Sequence, residues 1–395
     1  MANETTGEID PTVLGVRASV LETSVVMVGH ALLCIVLGAR MSLRGEEREK
    51  MKEYDALKFP LMASAALVGL YVLVKAVNKA LLSVLLKTYF CVAGAVCVAQ
   101  AVRPVFEWAM LPRDKAQRAK SVLLRRHSVL GLVDVDLVDV AAIALVGAPL
   151  LAVWAVYDLW PTNNAIGVGL AVAMIAMVNV GSYKTAAMLL GGLFVYDVFW
   201  VFGTDVMVSV VKNFNAPIKI VWPRSGVLVP LLAHTPVSAR MSMLGLGDIA
   251  IPGFFITMML HFDLALERAA RGDAALRVPQ RRVYYRVSLV AYVLALVCTF
   301  VAMHAFNHAQ PALLYIVPWL LVATLVTALC RHELPRLWAF EDSDGDSSDE
   351  ATDAAASQGS LWERILAFFG FGSKKDSTAA DKNKKETKKE TKKTQ

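Results

Sequence analysis

Apolar runs as long as a bilayer is thick recur along this chain, and they decide what it can fold into. They fall at about 18–39, 60–76, 81–102, 137–156, 164–182, 185–204, 242–262, 287–306 and 311–330. Each has about the 17–25 residues a helix needs to cross roughly 30 Å of hydrocarbon. Hydrocarbon leaves open strand edges without hydrogen-bond partners, so such segments must be helical. Composition agrees: 56% of 395 residues are hydrophobic and only 19% charged, too apolar for a soluble protein of this length. The chain reads as an all-α polytopic membrane protein with nine transmembrane helices.

Basic residues near the span ends set the orientation. The first loop holds Arg40, Arg44, Arg48, Lys50, Lys52 and Lys58. The third holds Arg103, Arg113, Lys115, Arg118, Lys120, Arg125 and Arg126, the fifth Lys184, and the seventh Arg268, Arg271, Arg277, Arg281, Arg282 and Arg286. Even loops are poorer, with Lys75 and Lys79 in the second and Lys212, Lys219, Arg224 and Arg240 spread over a long sixth. Odd loops and the C-terminus are therefore expected in the cytosol, and the N-terminus in the lumen. The expected division is a short lumenal start (1–17), an N-terminal membrane region (18–182), a catalytic membrane region (183–335) and a largely disordered cytosolic tail (336–395).

Residues 1–12 are polar and acidic, so the first run is expected to stay as a membrane helix rather than act as a cleaved signal peptide. Asn3-Glu4-Thr5 is the one N-x-[ST] triplet and a candidate glycosylation acceptor. The five cysteines, Cys34, Cys91, Cys97, Cys298 and Cys330, lie in apolar runs without a CxxC pair, which argues against disulfides or zinc. From about Glu341 the chain turns acidic and serine-rich, a composition that cannot bury a core. "LWERILAFFGFG" (361–372) is too short to span and suits a membrane interface. The lysine-rich end is a solvated tail able to touch anionic lipid.

The stretch "LLGGLFVYDVFWVFGTD" (189–205) carries the chemical clue. It would pass for an ordinary membrane helix except for Asp197, and an ionised carboxylate in hydrocarbon costs several kcal/mol. Asp158, Asp205 and Asp263 lie near span ends, where interfacial charges belong. Asp248, in "MLGLGDIAIPG", is expected about six residues inside the seventh span, at a depth matching Asp197. Neither span has a Lys or Arg at that depth, so each aspartate is the natural partner of the other. Two adjacent carboxyls cannot both ionise easily, so the pair keeps one proton, one negative charge and a water between them. The ionised member can deprotonate the water while the protonated one polarises a substrate carbonyl, which is amide hydrolysis. The proton belongs to the pair, and the acid and the base are not distinguished.

Gly245 and Gly247, flanking Leu246, remove side chains beside Asp248 and let a substrate backbone approach. Close helix packing is the competing reason for them, more so for Gly245. Pro252 and Gly253 are expected to interrupt the same helix, with freed backbone lining a cavity. In "QPALLYIVPW" (310–319), Pro311 opens the ninth span near the depth of both aspartates. HExxH and GxSG-type motifs are absent, which argues against zinc or serine chemistry. His304 and His308 have metal-like spacing but no nearby carboxylate, and read as interfacial histidines.

"YDVFWVFGTDVMVSVV", "LGLGDIAIPG" and "QPALLYIVP", in this order, resemble the signal peptide peptidase family of intramembrane aspartyl proteases, which includes the presenilins. "NFNAPIKIVWP" and "GFFITMMLHFD" extend the resemblance over about 185–330. It implies a presenilin-like fold, Asp197 and Asp248 as catalytic pair, and Tyr196, Gly245, Leu246 and Gly247 shaping the site. Gln310, Pro311, Ala312 and Leu313 would position it and the substrate. The implied substrates are type II-oriented membrane segments, notably signal peptides left after signal peptidase, with no metal or organic cofactor. Asp205 departs from the pattern, where an uncharged residue is expected. Presenilins have the opposite topology, and Golgi and endosomal relatives often have a large lumenal N-terminal domain. Lys392 and Lys393 resemble a cytosolic di-lysine signal for retrieval to the endoplasmic reticulum. Expected partners are transmembrane peptide substrates, the lipid bilayer, further copies of the chain and components of endoplasmic-reticulum-associated degradation, but no nucleic acid. Rival readings are a proton-coupled transporter or channel, and a scaffold that binds membrane segments without cutting them.

Overall fold

The apolar runs fold as helices in a computed structural model, which describes residues 11–43, 49–51, 53–76, 79–110, 127–129, 133–157, 159–204, 217–223, 241–272, 282–306 and 310–342. In chain order they are α1 (Pro11–Ser42), α2 (Glu53–Ala76), α3 (Lys79–Met110), α4 (Leu137–Tyr157, with a π-helical turn at Ile143–Gly147) and α5 (Trp160–Met177). There follow α6 (Tyr183–Phe202), α7 (Gly247–Gly272), α8 (Val283–Phe306), α9 (Ala312–Cys330) and the short α10 (Leu334–Trp338). Three two-stranded pieces join them: β1 (Glu49–Lys50) parallel to β4 (Val178–Asn179), β2 (His127–Val129) antiparallel to β3 (Val133–Val135), and β5 (Lys219–Pro223) antiparallel to β6 (Met241–Gly245).

Among the described residues, eight helices are long and apolar enough to cross a membrane: α1 to α4 and α6 to α9. The expected fifth span corresponds to α5, which is not among the eight. It opens with Trp-Pro-Thr-Asn-Asn, and those polar residues are used inside the protein. The seventh run also departs from expectation. Residues 241–245 are strand, not helix, so Asp248 sits in the first turn of α7 instead of six residues inside it.

The helices are sorted by burial. Of the apolar window of α7, 83% is buried inside the protein, against 6% for α2. α7 touches α1, α5, α6, α8 and α9 and forms the centre. α2 leans on α6 and exposes Leu57, Leu61, Val68 and Val72, the outer face a helix presents to lipid. Ile175 of α5 fits between Gly38 of α1 and Gly253 of α7, where an added Cβ would come within 2.6 Å of it at either glycine. Gly253 thus serves close packing, and α7 continues through Pro252 and Gly253.

Charges assigned to loops turn out partly structural. Arg103 lies inside α3 and pairs with Asp136, Asp139 and Glu107. Asp136 and Asp139 form the capping box that starts α4. Asp263, expected as a charge near a span end, also has a structural role. It is 2% exposed and accepts the Tyr284 and Tyr285 amides, 3.2 and 2.8 Å away, capping α8 from α7. The folded part continues past the expected tail boundary: Asp342 is buried, its amide donates to Gly181 O, and its carboxylate accepts from Asn179 and lies 3.6 Å from His261 Nδ1. The chain divides at 345/346, and Asp346–Gln395 lies outside the described residues. All five cysteines are free thiols.

Candidate active site

Asp197 is held by the start of another helix. The first amides of a helix have no intrahelical acceptor and must find one elsewhere. Pro311, with φ −66° and ψ 118°, is the N-cap of α9 and offers no side-chain cap. The Leu313 amide instead donates to Asp197 Oδ2 over 3.0 Å. The QPALL segment therefore supplies a backbone donor to a carboxyl on α6. Pro311, Ala312 and Leu313 are buried, and the half-buried Gln310 accepts from the Tyr315 hydroxyl at 3.3 Å. α6 is itself pinned to α2, because Trp200 Nε1 donates to Ser64 Oγ at 3.1 Å. Tyr196 is half-buried, its ring tilted against Trp200 with centroids 6.4 Å apart.

Asp248 is placed by a strand-to-helix junction. β6 pairs with β5 from Met241–Pro223 to Gly245–Lys219. The buried Leu246 then donates its amide to Ile218 O at 3.0 Å, and its carbonyl accepts from Ile249 and Ala250, beginning α7. β5 is fixed by two asparagines of α5. Asn164 donates to Val221 O at 2.7 Å and accepts the Val221 amide at 2.9 Å, and Asn163 donates to Lys219 O at 2.9 Å. These supports were missed from sequence, although two asparagines in an apolar run were a signal available to be read.

The two glycines differ. A Cβ on Gly245 would lie 3.1 Å from Asp248 Oδ2, so Gly245 makes room for the carboxyl and not for a neighbouring helix. A Cβ on Gly247 would meet only Ile251 of its own helix, at 3.9 Å, and Gly247 is exposed. Packing inside the protein therefore does not require Gly247.

α6 and α7 are in contact, so the helices that carry Asp197 and Asp248 lie side by side. Asp197 is 6% exposed, whereas Asp248 is half-buried. Each lies at a helix N-terminus, Asp197 at that of α9 and Asp248 at that of α7, where partial positive charge favours an anion. One protonated and one ionised carboxyl here could bind a water and a carbonyl between them.

Among the described residues no three His, Cys, Asp or Glu side chains gather as a metal ion would need. His304 is exposed and its Nδ1 lies 2.7 Å from Phe300 O of its own helix. Asn3, Asp158, Asp205, His308, Lys392 and Lys393 lie outside the described residues.

Comparison with known proteins covers most of the chain. Residues 44–344 match the family model described as signal peptide peptidase. The signal peptide peptidases of Mus musculus and Homo sapiens are each 34% identical over 348 residues, covering 83% of this chain and 87% of theirs. Intramembrane protease 2 of Caenorhabditis elegans is 41% identical over 219 residues, 53% of this chain and 44% of that protein. With matching sequence over this length and a multi-pass helical fold, the chain belongs to the signal peptide peptidase family of intramembrane proteases.

Proposed function

We propose that the chain is an aspartyl protease that hydrolyses peptide bonds inside membrane segments, with Asp197 and Asp248 as its dyad. The observation that carries this reading is the placement of Asp197 on α6 and Asp248 in the first turn of α7, two helices in contact, with the Leu313 amide donating to Asp197 Oδ2. One carboxyl takes a proton from a bound water as the water attacks the substrate carbonyl. The other donates a hydrogen bond to the carbonyl oxygen and then passes its proton to the leaving amine. The transferred protons return the pair to its one-proton state.

A membrane helix hides its peptide bonds in its own ladder, so a substrate must be opened locally before water can attack. Gly247, exposed beside Asp248, lets an opened backbone come near. β6 pairs with β5 alone among the described residues, which leaves it an edge for an extended segment. The proposed substrates are type II-oriented segments, notably remnant signal peptides. The proposed location is the endoplasmic reticulum membrane, with the N-terminus lumenal and the C-terminus cytosolic. Copies of the chain and degradation components are proposed partners.

The test is purified chain in detergent with a signal-peptide-derived transmembrane peptide, beside Asp197→Ala and Asp248→Ala. Mass spectrometry should locate cuts within the apolar segment for the unaltered chain and none for folded variants. Equal cutting by all three would sink the reading. Proton flux in liposomes without cutting would favour a carrier.

A further inference from the structure

Asp248 is set by its backbone as well as its side chain, and one backbone group there has lost its ordinary partner. The α7 ladder is running by Ala250, whose amide donates to Leu246 O over 2.8 Å. Two residues on, the amide that should reach Asp248 O belongs to position 252, which is proline and has no N–H. A carbonyl left unmatched at membrane depth is costly. In its place Tyr292, from α8, donates its hydroxyl to Asp248 O over 3.0 Å. Tyr292 is 0% exposed, so the hydroxyl needs an acceptor as much as the carbonyl needs a donor.

We propose that Tyr292 is a positioning residue for the proposed protease reaction: it replaces the ladder bond that Pro252 removes and so fixes where Asp248 holds its carboxyl. This rests on the reading of Asp248 as a member of the dyad. The junction then has a tie on each side, Leu246 N–H to Ile218 O before Asp248 and Tyr292 to the Asp248 carbonyl behind it. Proline at this place takes the carbonyl out of the helix ladder and hands it to a neighbouring helix. The axial position of Asp248 thus depends on how α8 packs against α7. Without the hydroxyl, the first turn of α7 is free to shift, and a displacement of about 1 Å at a reacting group can cost roughly a hundredfold in rate.

The experiment is a four-variant cycle on the full chain in detergent: unaltered, Tyr292→Phe, Pro252→Ala, and both together. Cleavage of the signal-peptide-derived transmembrane peptide and the melting temperature are measured for each. Tyr292→Phe keeps the ring, so kcat should fall about tenfold or more with KM little changed. In the Pro252→Ala background an amide is restored to donate to Asp248 O, so removing the hydroxyl should cost kcat less than threefold. The melting temperature should show the same coupling, falling with Tyr292→Phe only where Pro252 is present. Equal losses in both backgrounds, or an unchanged kcat for Tyr292→Phe alone, overturn the proposal. If the unaltered chain does not cut, the protease reading has failed, and the coupling in melting temperature still decides whether Tyr292 replaces the missing bond. It decides in the same way if Pro252→Ala is itself inactive.

Discussion

Gly245→Ala isolates the placement of the Asp248 carboxyl from everything else in the site. The added Cβ would stand 3.1 Å from Asp248 Oδ2, where ordinary contact begins near 3.4 Å, so the carboxyl must yield by a few tenths of an ångström. If misplacing a reacting group by about 1 Å costs roughly a hundredfold, a few tenths cost about fourfold. That corresponds to about 0.8 kcal/mol of transition-state stabilisation. Position 245 ends a strand without a positive φ, so alanine there is not strained and should leave stability within about 0.5 kcal/mol. The assay is steady-state cleavage of a membrane peptide together with a melting curve. The expected result is a kcat lowered several-fold at unchanged melting temperature. A wild-type kcat would refute the reasoning, as would a loss of activity that merely tracks a lower melting temperature.

Three other perturbations have defined outcomes. Gly253→Ala drives a Cβ to 2.6 Å from Ile175 and should cost about 1–3 kcal/mol of stability, read as a lower melting temperature. Asn164→Ala strips both hydrogen bonds from Val221, leaves a buried amide and carbonyl to be satisfied anew, and should destabilise by about 1–3 kcal/mol per group left unmade, with activity falling as β5 loosens. Glu333 is a pH-dependent clamp between α8 and the end of α9. Burial would raise its carboxyl, but Arg331 at 2.8 Å and the Tyr284 hydroxyl at 2.9 Å more than offset this and hold it below the usual range. A depressed carboxyl stabilises fully above its unfolded pKa of about 4.3 and loses that contribution as pH falls through the folded value. The melting-temperature gap between the unaltered chain and Glu333→Gln should therefore be open at neutral pH and close below about pH 4.

What the sequence made legible follows from the physics of each signal. Apolar runs are long and repeated, so helices, and the segments carrying Asp197, Asp248 and QPALL, can be read without a structure. A short apolar run does not by itself tell strand from helix, and so 241–245 reads as the start of a helix, whereas its pairing with distant Lys219–Pro223 makes it a strand. The strand moves Asp248 from inside its span to the first turn of α7. Buried carboxylates posed the same difficulty. Asp263 looks like an interfacial charge by position, and only its contact with the amides of Tyr284 and Tyr285 reveals a cap. The asparagines of α5 and Tyr292 act through partners more than forty residues away, a relation that periodicity does not encode. Gly253 reads as a helix breaker, whereas the space left by its missing side chain is filled by Ile175.

The most direct test of the central claim replaces each aspartate by its neutral isostere. Asp197→Asn and Asp248→Asn keep shape and the hydrogen-bond acceptor for Leu313, but neither can exchange a proton with water. Both variants should bind a transmembrane peptide with near-native affinity, melt near the unaltered chain, and release no product. Cutting by either variant at an appreciable fraction of the unaltered rate would contradict a shared-proton dyad at Asp197 and Asp248.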